Sequence, residues 1–457
     1  MRLAEFRVFG LFGLFDHIIP FNMDERITII HAPNGFGKTV VLKLISAMFG
    51  GSLATFREVE YDRIEYVFDD DSVLRVTQSD HQPELFPDEV RKGHSRYNIR
   101  LVGTVEELVW DPDNNSVSRH RLGDIPLSMW ERYLPFINRV GPGNWRDTNH
   151  GDVVGVQQLV ERYGDQLPPS IRRRAPQPDW LENVRSSLSC RLIETQRLVS
   201  YEKRKGSYGS TEASMTLAVQ TYSTELQASV ERVLAESATL SQALDQTFPN
   251  RLLERMGDDS AILSEAVLRE RLSSLEKQRA RLASAGLLDS AKDGAIVSGS
   301  HFDDTTRKIL STYVEDTTSK LAIYDEILEK IELFLDVINN RFQFKSVSVD
   351  RVDGFVFHDI RKRRLEPKNL SSGEQHELVL IYDLLFKSKK NTLVLIDEPE
   401  ISLHIAWQKR FLSDLRRIID LTNIDAVVST HSPQLIGPDI DLTVQLQPPA
   451  DDILYSA

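Results

Sequence analysis

Apolar residues in the first 80 positions alternate or cluster in the way that strands require, with one helical interruption. The β-branched run Ile27-Thr28-Ile29-Ile30 is typical of a buried strand. The pattern predicts strands over 3–8, 15–21 and 27–30, a helix over 39–49, and a hairpin of 58–68 with 72–77 around three aspartates. The N-terminal part therefore reads as an α/β unit rich in strands.

The apolar period becomes helical after residues 206–210, Gly-Ser-Tyr-Gly-Ser, which we interpret as a hinge. Steps of three, four and seven residues predict helices over 222–248, 264–285 and 304–342. At about 1.5 Å per residue the last helix would reach about 55–60 Å. We interpret these stripes as the mutual core of an antiparallel helical arm, with a partner-docking face as the alternative.

Strands and helices alternate again from residue 344. The pattern predicts strands over 344–349, 354–358, 393–396 and 426–429, a helix from Ser372, and a helix over 405–420. This alternation is typical of half of an α/β domain.

The segment between the N-terminal strands and the arm is less regular. Residues 79–186 are rich in loops with a strand over 98–108, and residues 190–194 predict a further strand. We expect one α/β domain split into residues 1–205 and 343–457, with a helical arm over 206–342 inserted between the halves.

Composition narrows the functional class. The 457-residue chain has a net charge of −13, which argues against a surface covered by nucleic acid. The chain has two basic clusters, 172–174 and 361–364, which we interpret as solvated faces. The alternative is a phosphate or partner contact, for which 361–364 is the better candidate. The single cysteine, Cys190, excludes an intrachain disulfide and reads as a core residue. With neither a membrane-length apolar run nor a signal peptide in the pattern, we expect a cytoplasmic protein without a membrane partner.

The segment after the strand over 27–30 predicts a phosphate loop. Glycine at 35 and 37 lets backbone N–H groups curl around phosphate oxygens, and the following helix adds its positive N-terminal dipole. Lys38 would reach the β- and γ-phosphates of ATP, and Thr39 would hold Mg²⁺. Ala32 stands where the full pattern has glycine. The predicted nucleotide-binding residues here are Asn34, Gly35, Phe36, Gly37, Lys38, Thr39 and Val40.

Further chemistry is predicted where later strands end. Asp397 would bind Mg²⁺ through water, and Glu398 would act as the general base on the attacking water. Gln196 could reach Mg²⁺ or the lytic water, and His431 could touch the γ-phosphate. A surface glutamine and a capping or core histidine are the simpler alternatives for the last two.

A serine-glycine turn opens the helix that starts at Ser372. Such a turn binds the nucleotide phosphate of a second subunit, so we expect the chain to close on ATP in pairs. Ser372 replaces the usual second glycine of this signature. The predicted nucleotide-binding residues here are Ser371, Ser372, Gly373 and Glu374.

These segments together resemble the head of ABC-type ATPases, and the long insertion is similar to the SMC and RecF branch. Residues 400–404 occupy the place of the D-loop. The chain is similar to the OLD-like AAA ATPases of prokaryotic anti-phage systems in the segments "RLIETQRL", "LDQTFPNRL" and "LSSGEQHELVLIYDLLF". The similarity is closest to the ATPases of Septu and Septu-type retrons, and the PARIS ATPase is a looser relative.

That resemblance implies head-to-head dimers or higher homo-oligomers that hold or license a separate nuclease or toxin of HNH or Toprim type. Nucleic acid would enter through that partner or a retron element. The departures at Ala32 and Ser372 imply slow turnover. The alternative hypothesis is a RecF- or SMC-like DNA-repair ATPase that binds DNA directly, which the acidic charge disfavours. The inserted arm disfavours a transporter ATPase subunit.

Overall fold

The computed structural model describes residues 1–50, 53, 55–79, 96–110, 137–141, 144–147, 153–155, 159, 178–205, 211–257, 263–289, 301–401 and 404–448. The strands are β1 Leu3–Leu11, β2 Phe15–Pro20, β3 Ile27–His31, β4 Arg63–Phe68, β5 Val73–Ser79, β6 Arg96–Leu101, β7 Glu107–Trp110, β8 Ile137–Gly141, β9 Asn144–Asp147, β10 Val153–Gly155, β11 Cys190–Ile193, β12 Val199–Lys205, β13 Thr211–Leu217, β14 Lys345–Asp350, β15 Gly354–Asp359, β16 Arg364–Leu365, β17 Leu393–Asp397, β18 Asp425–Thr430 and β19 Thr443–Gln445. The described helices are α1 Lys38–Phe49, α2 Thr55–Glu58, α3 Asp179–Ser187, α4 Ala218–Gly257, α5 Glu265–Ser284, α6 Asp304–Ala322, α7 Asp325–Asn339, α8 Ser372–Tyr382, α9 Ile405–Gln408, α10 Phe411–Thr422 and α11 Pro433–Ile436.

The chain forms two compact units. The first comprises Met1–Thr216 with Phe386–Ala457, and the second comprises Leu217–Leu385. The expected α/β fold, with long helices inserted between two strand-bearing parts of the sequence, is confirmed. The domain division at residues 205 and 342 stays a prediction. The predicted hinge at 206–210 and the basic cluster at 172–174 lie outside the described residues.

The parallel sheet of the first unit joins strands from both ends of the chain. Its order is β11-β17-β18-β3-β19, and every neighbouring pair is parallel. The strands β3 and β17 are almost wholly buried, as their continuous apolar sequences require when both faces of a sheet are covered. Because parallel strands share one direction, the segments that follow β3, β11, β17 and β18 meet at one edge of the sheet.

Helix α1 is fixed by the core of the first unit. A six-stranded antiparallel sheet, ordered β2-β1-β4-β5-β6-β7, shares one apolar cluster with α1 and with the parallel sheet. Val41, Leu44 and Ile45 of α1 are completely buried, which stabilises the fold by about 1.5–3 kcal/mol for each large aliphatic side chain. The hydroxyl of Tyr66 donates to the carbonyl of Leu44 at 2.8 Å. The N-terminus of α1 is thereby held where β3 ends.

Three predicted elements of the first unit have different bounds in the structure. The strand predicted over 98–108 is the hairpin β6–β7, because Gly103 at φ 85° turns the chain. The strand predicted from residue 58 begins at Arg63, after the short helix α2. The helix predicted over 405–420 is divided into α9 and α10, because the Arg410 N–H bonds to the carbonyl three residues back and tightens the chain there.

Cys190, the first residue of β11, is half-buried rather than fully enclosed. Removal from water disfavours the thiolate and raises the pKa of this thiol to about 12. The thiol is therefore neutral at physiological pH.

Helices α4, α5 and α6 of the second unit bury apolar side chains among themselves. Helices α4 and α5 both pack on α6, and Leu272 of α5 and Val314 of α6 are buried, which supports the interpretation of these two stripes as mutual core. Ionic contacts tie the same helices together, for example Arg255 with Glu315 at 2.7 Å. Among the described helices, including the 40-residue α4, none combines the length and apolar character needed to cross a bilayer.

The prediction of a single helix over 304–342 is wrong in one respect, because this segment forms two helices, α6 and α7. The chain turns at Ile323 and Tyr324, where the Tyr324 N–H bonds to the Leu321 carbonyl, three residues back. Both residues keep right-handed helical dihedrals, so the apolar spacing continues across the break. The periodicity of the sequence could not reveal it.

Helix α8 lies in the interior of the second unit. Its residues from Gln375 to Tyr382 are all buried. The ring of Tyr382 stacks on Tyr222 of α4 at 4.6 Å between centroids, and Phe334 of α7 stacks on Phe355 of β15 at 5.0 Å. Tyr382 also packs edge-on against both Phe334 and Phe355, so α8 is fixed against α4, α7 and the sheet β14-β15-β16.

One buried ion pair joins α8 to the end of α7. The side chains of Arg341 and Glu377 are 2% and 0% exposed and are in direct contact. We expect Arg341→Met to lower the free energy of unfolding by about 3–5 kcal/mol, because Glu377 would keep a buried, unpaired charge. The double variant Arg341→Met with Glu377→Leu should recover most of that loss.

Denaturant unfolding of both variants measures this effect. The control is Arg281→Met, which removes an exposed pair with Glu332 and should cost below about 1 kcal/mol. Equal destabilisation by Arg341→Met and Arg281→Met would contradict the assignment of a buried pair.

Candidate functional site

The loop between β3 and α1 has the backbone of a phosphate loop. Gly35 and Gly37 adopt φ of 89° and 84°, where a side chain would be strained. A Cβ on Gly37 would also lie 2.7 Å from the Leu11 side chain, whereas a Cβ on Gly35 would meet nothing within 4 Å. Ala32 keeps a negative φ, so its departure from glycine costs the loop nothing. The loop leaves the N–H groups at the start of α1 available to an anion.

The remaining loop residues anchor or border this structure. The Phe36 carbonyl lies 3.0 Å from Nε2 of the buried His17, and burial lowers the pKa of that histidine. A neutral His17 with its proton on Nε2 donates to this carbonyl. The Phe36 ring packs on Phe15 at 5.3 Å, Val40 contacts the core, and Asn34 is exposed.

The ammonium group of Lys38 lies inside the loop. Its Nζ donates to the carbonyls of Ala32 at 2.8 Å and Pro33 at 3.2 Å, and lies 2.7 Å from Nε2 of His431. Only 5% of Lys38 is exposed. Burial lowers the pKa of Lys38, against the opposing effect of nearby carboxylates, Glu398 first among them. A phosphate group would supply the acceptor charge that this buried cation needs.

Hydroxyl groups surround the carboxylate of Asp397. Thr39 Oγ1 donates to Oδ1 at 3.0 Å, Ser429 Oγ donates to Oδ1 at 2.6 Å, and Thr195 Oγ1 donates to Oδ2 at 3.2 Å. Asp397 itself is 6% exposed. Buried hydroxyl and carboxylate oxygens are the hard donors that Mg²⁺ prefers, so this group fits the ion. Thr39 and Asp397 are the residues that would hold it.

Glu398 and His431 are in contact beside this group, at 2.9 Å between Oε1 and Nε2. Lys38 approaches the same nitrogen. One nitrogen cannot do both: when protonated it donates to Glu398, and when unprotonated it accepts from Lys38. Glu398 has φ 44°, a left-handed conformation that is uncommon for a residue with a side chain, and its N–H bonds to the Ser429 carbonyl at 3.0 Å. The backbone thus turns sharply where the predicted general base sits.

The structure brings together most of the predicted residues of the first unit, with one exception. Lys38, Thr39, Asp397, Glu398 and His431 form one contiguous group. Gln196 is exposed, and the residue before it reaches Asp397 instead. The role of Gln196 in metal binding or catalysis stays a prediction.

Sequence reasoning missed Thr195 and Ser429 as site residues. Both lie where parallel strands end, Thr195 just after β11 and Ser429 near the end of β18. That placement beside Asp397 was the available signal, because carboxyl ends of parallel strands share one edge. Small hydroxyl residues are too common at strand ends to stand out without the partner strand.

The predicted signature turn lies in the second unit and is built locally. Ser371 caps α8: its Oγ accepts from the Glu374 N–H at 3.3 Å, and its own N–H donates to Glu374 Oε2 at 2.7 Å. Lys345 of β14 contacts the same carboxylate oxygen at 2.7 Å. Ser371 and Ser372 are exposed and Gly373 is half-buried, so the turn faces solvent while the helix behind it is fixed.

Residues 241–437 match a family model described as "AAA domain, putative AbiEii toxin, Type IV TA system". This match covers less than half of the chain. It includes the signature turn, Asp397, Glu398 and His431, and it leaves out the phosphate loop.

Two curated relatives match shorter parts of the chain. "Protein ea59" of Escherichia phage lambda is 31% identical over 111 residues, which is 24% of this chain and 20% of that protein. "Retron Ec83 probable ATPase" of Escherichia coli is 28% identical over 171 residues, 32% of this chain and 30% of that protein. The chain thus spans less than a third of the length of either relative.

Two solved SMC head structures are similar to the chain at low sequence identity. The Smc head domain with an extended coiled coil bound to the C-terminal domain of ScpA, from Pyrococcus furiosus, is 14% identical, with a TM-score of 0.32 and coverage of 95% of this chain and 91% of that one. The SMC head domain from Thermotoga maritima is 11% identical, with the same TM-score and coverage.

The burial of Lys38 leads to a test of nucleotide binding. We expect Lys38→Ala to weaken ATP binding by about 100-fold or more, because charge-assisted contacts of about 1.5–3 kcal/mol each are lost. The control is Lys43→Ala, which removes an exposed lysine of the same helix and should leave the affinity unchanged. Calorimetric titration with MgATP measures both, and equal affinities would overturn the phosphate-loop assignment.

Proposed function

We propose that this chain is the cytoplasmic ATP-binding and ATP-hydrolysing regulatory subunit of an anti-phage defence complex. In this proposal ATP drives its oligomerisation, and the oligomer holds or licenses a separate nuclease or toxin. The observation that carries the ATPase part is the contiguous group of Lys38, Thr39, Asp397, Glu398 and His431 at one edge of the parallel sheet.

Each residue of that group has a role that its position supports. Lys38 and the loop N–H groups bind the phosphates, and Thr39 with Asp397 binds Mg²⁺, which neutralises phosphate charge when bound. Glu398 accepts a proton from the attacking water and orients that water. The His431 imidazole contacts both Glu398 and Lys38, so it can also contact the γ-phosphate that Lys38 binds. Lys38 donates to two carbonyls of its own loop, so phosphate must compete with them for the ammonium group. Slow turnover is proposed from the departures at Ala32 and Ser372.

The regulatory part of the proposal has different support. The description of the matched family refers to a toxin system, and the name of one relative contains both "Retron" and "ATPase". The sequence around the signature turn also resembles that of the same class of defence ATPases. We infer that the effector is carried by another protein, of HNH or Toprim type, and that nucleic acid enters through it or through a retron element.

Oligomerisation on ATP is proposed from the signature turn. Ser371 and Ser372 are exposed and Gly373 is half-buried at the start of α8, and the capping box keeps their backbone in place. A rigid, solvent-facing helix start is suited to bind the γ-phosphate held by a second copy of the chain. Head-to-head dimers, or higher homo-oligomers, would then place two such turns over two bound nucleotides.

An exposed basic turn favours the second candidate, a RecF- or SMC-like repair ATPase that binds DNA. Arg361, Lys362, Arg363 and Arg364 are all exposed between and along β15 and β16. Arg363 and Arg364 are already paired with aspartates, at 2.6 and 2.9 Å. About half of the positive charge of this turn is thus neutralised, and the regulatory role remains the better supported of the two.

The general base provides the test of hydrolysis. We expect Glu398→Gln to bind MgATP normally and to hydrolyse it about 10²–10⁴-fold more slowly, since only proton transfer is lost. The trapped ATP should also raise the fraction of dimer or higher oligomer measured by light scattering. Hydrolysis at the native rate would show that Glu398 is not the base.

Co-purification tests the regulatory role. We expect the tagged chain, expressed with its native gene neighbours, to co-elute with a nuclease or toxin in the Glu398→Gln form and less with it in the Lys38→Ala form. Elution of both forms alone would contradict the regulatory proposal. ATP hydrolysis stimulated by added DNA, with binding that weakens steeply with salt, would favour the repair alternative instead.

A further inference from the structure

One carboxylate near the site has no role in the proposed chemistry. Glu400 lies two residues after Glu398 and three after Asp397, and its Oε1 accepts three hydrogen bonds. The donors are Thr430 Oγ1 at 2.6 Å, the His431 N–H at 2.7 Å and the Ser432 N–H at 3.2 Å. All three donors belong to the end of β18 and the turn that follows it.

A second contact supports the same turn from α9. Ser432 Oγ donates to Oε1 of Gln408 at 2.8 Å and accepts the N–H of Leu435 at 3.4 Å, which caps α11. The turn that carries His431 is therefore held on one side by Glu400 and on the other by Gln408. Both belong to the segment that follows β17.

The fold of β18 itself does not depend on Glu400. Thr430 pairs with His31 of β3, and Ser429 pairs with Asp397 of β17, so the sheet holds the strand up to its last residue. The N–H groups of residues 431 and 432 lie beyond that pairing. The Ser432 N–H also donates to Thr430 Oγ1 at 2.9 Å. Because the Glu400 carboxylate accepts from both Thr430 Oγ1 and the His431 N–H, and hydrogen bonds to a carboxylate are stronger than neutral ones, Glu400 is a principal restraint on the backbone of the turn.

We propose that Glu400 is a positioning residue of the site: by fixing the backbone at residues 430–432, it sets the reach of the His431 imidazole toward the γ-phosphate. This inference rests on the proposed ATPase function. Its geometric basis is that the imidazole is placed within 2.9 Å of Glu398 and 2.7 Å of Lys38 by a turn that Glu400 holds.

The test is a double-mutant cycle of Glu400→Ala and His431→Ala, read as kcat for MgATP hydrolysis. We expect each single variant to lower kcat by about 10- to 100-fold, since a misplaced group can cost that much. If Glu400 acts through His431, adding Glu400→Ala to His431→Ala lowers kcat little further. Full additivity of the two losses, or no effect of Glu400→Ala, would overturn the proposal.

Two more variants separate positioning from a general loss of structure. Glu400→Gln keeps one oxygen acceptor and should restore most of kcat relative to Glu400→Ala. Glu58→Ala removes an exposed carboxylate of the same unit and should leave kcat unchanged. A Glu400→Gln variant as slow as Glu400→Ala, at equal thermal stability, would count against a role in accepting these hydrogen bonds.

Affinity separates failure of this inference from failure of the proposed function. MgATP and MgADP are titrated into the native chain and both single variants, and the affinity ratio reports contact with the γ-phosphate. We expect Glu400→Ala and His431→Ala to reduce the preference for ATP to a similar extent. A native chain that binds MgATP without hydrolysing it contradicts the proposed function. An unchanged ratio in Glu400→Ala, with a reduced one in His431→Ala, overturns the role of Glu400.

Discussion

The parallel pairing of β3 with β18 is the interaction on which the site depends. It places a strand from the first 31 residues between strands from the last quarter of the chain. Thr39 and Asp397 are 358 positions apart in sequence and are joined by a hydrogen bond because of that pairing. Each of these strands has an apolar run followed by polar residues at or after its carboxyl end, such as Asp397 at the end of β17. The apolar run packs in the core and takes no part in the site. The polar groups at the sheet edge can therefore vary without disturbing the strand.

The sequence predicts elements well where local rules dominate. The helix α8 and its N-cap at Ser371 follow from a capping box that needs residues only three apart. The strands β3, β17 and β18 follow from β-branched and apolar runs, and the phosphate loop follows from two glycines whose positive φ the structure retains. Polar residues follow the carboxyl ends of these strands. Since the carboxyl ends of parallel strands share one edge of a sheet, the proximity of these residues could also be predicted.

The features that were missed depend on partners distant in sequence. The turn at Ile323 and Tyr324 preserves the helical period while breaking the helix. Thr195 contacts Asp397 only because β11 lies beside β17, and nothing in the sequence chooses between Thr195 and Gln196. The three hydrogen bonds at Glu400 likewise require the register of β18 against β17. Such contacts are decided by packing, and local sequence carries little information about them.

The interleaved sheet also sets the order in which the candidate site is completed during synthesis. A ribosome adds about 5–20 residues per second, so tens of seconds separate β3 from the strands that flank it. Through that interval the backbone N–H and C=O groups along both edges of β3 have no partner strand, and an unpaired edge is prone to associate with other chains. The phosphate loop is translated early, whereas Asp397 is translated 358 residues after Thr39, and His431 is translated later still. A nascent chain therefore lacks the complete candidate site until β18 is made, and protection of β3 by a chaperone is most needed in that interval.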